Sequence, residues 1–125
     1  IHAGWRGLAS GIITKTIYTL MAKKNLGSSS ELLDIVIGPC AGPQTYEVGP
    51  EVIEALGSNA VYAAGRPSRY LLDLVATARS EIESLAQITQ FRIGISGVCT
   101  ITDPSYHSYR RSQGISGSNL SFIVC

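Results

Sequence analysis

Apolar residues fall at Leu8, Ile12, Ile13, Ile17, Leu20 and Met21, with Lys15, Lys23 and Lys24 on the opposite side. This spacing of three and four predicts an amphipathic helix, with Gly27 as its C-cap and the serines at 28–30 as a linker. Leu33, Ile35 and Ile37 then alternate with Asp34 and Val36, a strand pattern closed by Gly38-Pro39. Two prolines and two glycines within residues 38–43 exclude regular structure there. Gly49-Pro50-Glu51 opens a short helix reaching about Leu56, with proline in its first turn. The strongest helical stripe is Leu71, Leu74, Val75, Ala78, Ile82 and Leu85, which predicts a helix over residues 70–86. Phe91, Ile93 and Ile95 alternate as a strand, and Leu120, Phe122 and Val124 predict a last one. Ile1 also reads as the inside of a strand. Helices and strands mix along the chain, so the class is α/β or α+β.

The 125 residues suffice for one domain. Ten Lys and Arg against nine Asp and Glu leave a net charge of +1, which excludes a strongly basic nucleic-acid binder and an acidic disordered tail. No apolar run approaches the roughly 18 residues of a membrane span. Cys40, Cys99 and Cys125 are odd in number and lack CxxC spacing, which points to reduced thiols and a cytoplasmic location. The chain opens on Ile1 without Met, so a preceding segment is expected.

Candidate chemistry is sparse. His2 precedes a glycine-flanked turn, where an imidazole serves as a metal ligand, a general base or a simple cap. His107 follows Tyr106 in a polar loop, and no HxH or HExxH spacing joins the two. Arg6 lies in a turn before a helix, Arg110 and Arg111 lie side by side, and Arg66 and Arg69 share another loop. Converging guanidinium groups would hold a phosphate or carboxylate, whereas separate ones are solvated surface. Trp5 reads as a core anchor, and Cys40 and Cys99 as structural thiols.

His2-Ala3-Gly4-Trp5-Arg6-Gly7, then residues 37–43 (IGPCAGP), Tyr46-Glu47-Val48-Gly49, Cys99-Thr100 and Ser108-Tyr109-Arg110-Arg111 occur together and in this order. The combination closely resembles the laccase-domain family, also called multicopper polyphenol oxidase or YlmD/YfiH-like proteins, over roughly the C-terminal half of its domain. The resemblance implies mixed β-sheets flanked by helices, in one laccase-like domain lacking its N-terminal part. It also implies a metal site of two His and one Cys. His2 would be the ligand before Ala-Gly-Trp-Arg-Gly, and the other two would lie upstream of Ile1. Cys40 stands where the family has small residues and is not a substitute ligand.

The activity implied is zinc-dependent purine nucleoside phosphorylase chemistry on adenosine, inosine and methylthioadenosine, with adenosine deamination. Alternatives are a copper-dependent polyphenol oxidase, a peptidoglycan-editing enzyme or a non-catalytic module. Arg6, Arg110 and Arg111 would bind a small-molecule nucleoside and phosphate, with Asp73 as a further polar candidate. Neither nucleic acid nor membrane is an expected partner. The family's Gly-Arg before the last strand is Gly117-Ser118 here.

Overall fold

Where the spacing from Leu8 to Met21 predicts one helix, the chain builds two, α1 (Trp5–Ala9) and α2 (Ile12–Lys24). The break falls at Gly11, whose φ of +69° is a left-handed conformation that favours glycine. The Ser10 hydroxyl donates to the Gly7 carbonyl at 2.8 Å and closes α1. This is a computed structural model that describes residues 1–24, 32–57, 61–63 and 65–122. The expected Gly27 cap and serine linker lie outside the described residues.

Strand β1 (Leu32–Ile37) appears as the alternation predicts, followed by β2 (Glu47–Val48) and helix α3 (Pro50–Leu56). Proline at the start of α3 costs no hydrogen bond, and Gly57 ends it in the left-handed region with its N–H on the Ile53 carbonyl. Strand β3 (Val61–Ala63) leads to β4 (Tyr70–Leu72), then α4 (Leu74–Glu83) and β5 (Gln90–Ile95). The helix expected over 70–86 is therefore shorter at both ends. Asp73 accepts a hydrogen bond from Ala76 N at 2.8 Å and caps α4, so the three residues before it pair as a strand. Leu71 matches the helical stripe by coincidence of spacing. Ile1 to Gly4 and Leu120 to Phe122 are irregular rather than strands, and residues 123–125 lie outside the described part.

β1 and β5 pair in parallel, with Leu33 opposite Phe91, Ile35 opposite Ile93 and Ile37 opposite Ile95. Their shared inner face covers a cluster of Leu8, Ile13, Ile17, Ala78, Ile82 and Leu85 supplied by the helices and the turn after α4. β2, β4 and β3 form an antiparallel sheet in that order. Val48, Val52 and Leu72 make a second cluster beside it, with Trp5 and Tyr46 packed on the edge. The mixed α/β class expected from the sequence is the class observed. Among the described residues, no helix is long and apolar enough to cross a membrane.

Candidate functional site

Trp5 and Tyr46 both lean on the second cluster, Trp5 from the first turn of α1 and Tyr46 from the residue before β2. Each carries a guanidinium over its ring. The Arg6 Cζ stands 4.4 Å from the Trp5 centroid, and the Arg110 Cζ stands 5.0 Å from the Tyr46 centroid. Burial pushes the Tyr46 phenol up, while the charges of Arg110 and Arg6 both pull it the other way. Two cations thus act on one phenol. The Trp5 anchor expected from the sequence is half-buried and packs on the core, and it also presents its face to Arg6.

Arg110 and Arg111 are neighbours in sequence but serve different elements. Arg110 donates to the Glu47 carbonyl, tying the 100–115 loop to β2. Arg111 donates to the carbonyls of Thr100, Ile101, Asp103 and Tyr106, and so acts as the internal brace of its own loop. Ser108, buried beneath, accepts from the Arg111 amide at 3.3 Å. Glu47 also pairs with Arg66 at 3.6 Å, an exposed contact of small energetic weight. Asp73 is occupied as the α4 cap.

His2 is exposed just before α1, with its ring folded over Gly4. A Cβ at Gly4 would stand 3.0 Å from Nε2, a contact that the exposed His2 ring could relieve by moving. Among the described residues, no group of three or more His, Cys, Asp or Glu could hold a metal ion. His2 alone does not make a metal site. His107 lies in another loop, its backbone N–H and carbonyl bonded to the Asn119 side chain at 2.9 and 2.8 Å.

Cys99 is the group whose chemistry its own neighbours do not announce. Its Sγ accepts the Gly42 N–H at 3.2 Å and lies 3.4 Å from the Thr45 hydroxyl. A Cβ on Gly42 would stand 2.9 Å from that sulfur, so glycine is what permits the approach. Burial by itself raises the thiol, but hydrogen bonds from Thr45, Thr102 and Gly42 outweigh it and bring it down to about 6. Cys40, by contrast, is pushed up by burial, by the Asp73 carboxylate and by Cys99 itself. The two thiols, both read as structural from the sequence, differ in their surroundings: hydrogen-bond donors surround the Cys99 sulfur, whereas burial and the Asp73 carboxylate act on Cys40.

The chain matches, over residues 1–125, the family described as multi-copper polyphenol oxidoreductase laccase. It is 37% identical over 133 residues to a purine nucleoside phosphorylase of Xylella fastidiosa, covering 100% of this chain and 48% of that protein. It is 32% identical over 127 residues to the Escherichia coli purine nucleoside phosphorylase YfiH, covering 98% of this chain and 48% of the relative. The chain spans about half the length of the curated relatives it matches. A crystal structure of a Bacillus licheniformis hypothetical protein, YfiH, superposes with a TM-score of 0.72 at 26% identity, covering 90% of this chain and 44% of that one.

Proposed function

Because this chain belongs to the multi-copper polyphenol oxidoreductase laccase family, an enzyme family, we propose that the full-length protein cleaves purine nucleosides with inorganic phosphate. The names of relatives matching along the whole chain support this reading. The observation that carries it is the pair of cations, Arg6 and Arg110, around the Trp5 and Tyr46 rings. In phosphorolysis a phosphate oxygen attacks the anomeric carbon, the N-glycosidic bond breaks, and the purine departs with a proton. Arg6 and Arg110 are suited to hold the phosphate, and the aromatic faces to stack on the base. Arg111 contributes by keeping the 100–115 loop in shape for Arg110. Adenosine, inosine and methylthioadenosine are the proposed substrates, with adenosine deamination as a side activity.

The family implies metal binding, and zinc is the proposed ion. His2 would be one ligand, and the others would come from the part of the relatives' length that this chain does not span. Copper-dependent phenol oxidation is the second reading, favoured by the family's description. Copper centres of that kind draw on imidazole repeatedly, and this chain contributes two histidines, so the rest would have to come from the part of the relatives' length that it does not span.

Hypoxanthine release from inosine by the full-length protein, with and without phosphate, tests the proposal. Release that requires phosphate, with an Arg6→Ala variant raising the phosphate KM, supports it. Oxygen uptake with a phenol by the copper-loaded protein, without nucleoside cleavage, would replace it with the oxidase.

A further inference from the structure

Beyond the ends of β1 and β5 the two chains continue side by side. Ser96 N donates to the Ile37 carbonyl at 3.0 Å, Cys40 N to the Val98 carbonyl at 3.2 Å, and Thr100 N to the Cys40 carbonyl at 2.8 Å. Cys40 and Cys99 are thereby directly paired in an isolated parallel bridge. Directly paired residues on neighbouring strands send their side chains to the same face. The usual strand spacing of about 4.7–4.9 Å also lies inside the Cα separation that a disulfide tolerates, about 4.4–6.8 Å. Both thiols are free and both are half-buried. The bridge lies outside the regular sheet, and Gly97 next to it has φ +70° with open space around it, so this stretch has room to adjust.

We infer that Cys40 and Cys99 form a reversible intramolecular disulfide when the protein meets a hydroperoxide, and that this bond releases the 40–46 turn from its sulfur anchor. The inference is independent of the activity proposed above.

Cys99 is the attacking sulfur, because its hydrogen bonds favour the thiolate while burial, and secondarily the Asp73 carboxylate, keep Cys40 protonated. The thiolate displaces the peroxide O–O bond and becomes a sulfenic acid, and the departing alkoxide or hydroxide takes up a proton. The Cys40 sulfur then attacks the Cys99 sulfur, the S–O bond breaks, and the hydroxyl leaves with the Cys40 proton as water. Each pair of thiols thus reduces one peroxide. Bonding to Cys40 draws the Cys99 sulfur away from the Gly42 N–H and the Thr45 hydroxyl. Those contacts shape the turn that delivers Tyr46 and the Glu47 carbonyl to Arg110. The structure therefore links an oxidant-sensitive bond to the placement of one of the two cations.

Hydrogen peroxide added to the reduced full-length protein, followed by alkylation and non-reducing tryptic mass spectrometry, tests this. The expected product joins the peptide 25–69 to the peptide 93–110, with a loss of about 2 Da that dithiothreitol restores. In Cys40→Ser, Cys99 should instead stop at a dimedone-trappable sulfenic acid. In Cys99→Ser, alkylation of Cys40 should be the same with and without peroxide. Two separate peptides in the wild type, with Cys99 unreacted or oxidised to the sulfinic acid, would overturn the inference. So would a disulfide from Cys99 to any other cysteine.

Discussion

Gly42→Ala isolates one cause of the unusual Cys99 thiol. Gly42 is not among the glycines with positive φ, so alanine suits its backbone and the perturbation is purely spatial. The new Cβ would stand 2.9 Å from the Cys99 sulfur and 3.0 Å from the Cys99 Cβ. Ordinary contacts lie at about 3.5–4.0 Å, so the sulfur must retreat by roughly 0.7 Å. The Gly42 N–H bond, now 3.2 Å, is stretched to the limit of a sulfur hydrogen bond. A hydrogen bond to a charged group is worth about 1.5–3 kcal/mol, and one pKa unit corresponds to about 1.4 kcal/mol. The thiol should therefore climb by about one to two units from its value near 6.

Iodoacetamide alkylation followed at the Cys99 peptide across a pH series measures this directly. The wild-type midpoint should fall near 6, and that of Gly42→Ala at about 7–8. Cys40 in the same samples should react only at alkaline pH, which makes it an internal control. The sign for stability follows from linkage. A thiol depressed by folding adds stability that grows as pH rises from about 6 to 9.0 and is lost as pH falls through 6. Gly42→Ala should flatten that slope. An identical midpoint in the variant, or a wild-type midpoint at the free-cysteine value, would refute the hydrogen-bond account.

Leu72 is fully buried, so Leu72→Ala should lower the unfolding free energy by about 2–5 kcal/mol, read as an earlier urea midpoint at an unchanged slope. The Glu81 carboxylate accepts both the Thr14 N–H and the Thr14 hydroxyl at 2.9 Å near the start of α2. Glu81→Ala should cost about 1–2 kcal/mol by thermal unfolding, and Glu81→Gln, which keeps an acceptor, should recover most of it. Arg111→Lys should loosen the 100–115 loop, because one ammonium cannot span four carbonyls. Limited trypsin digestion should then cut after Arg110 faster than in the wild type, and equal rates would contradict the brace.

Elements that are long and bury one face were legible in the sequence. β1 and β5 follow their alternation, and α3 follows its Pro50 start and Gly57 stop. β2 and β3, at two and three residues, are too short to establish a period. β4 was absorbed into the following helix because Leu71 suits both patterns and only the Asp73 cap separates them. For the candidate site, residue types were visible but convergence was not. Arg6 and Arg110 lie far apart in sequence and act on the same phenol, whereas the adjacent Arg110 and Arg111 part company. Two of the Cys99 sulfur's partners, Gly42 and Thr45, come from 57 and 54 residues away, and only Thr102 is local, so the adjacent Val98 and Thr100 do not reveal its ionisation.

Leu56 and Leu74 have a place that neither hydrophobic cluster explains alone: both pack against the helical cluster and against the one beside the antiparallel sheet. They act as rivets between two cooperative units. Amide exchange should therefore sort into two populations with separate opening free energies, one spanning α2 and the β1–β5 pair and one spanning α3 and β4. Shortening either leucine would loosen the coupling, so that the two populations open with less dependence on one another. The half that carries Tyr46 could then open and close on its own clock while the parallel pair stays shut.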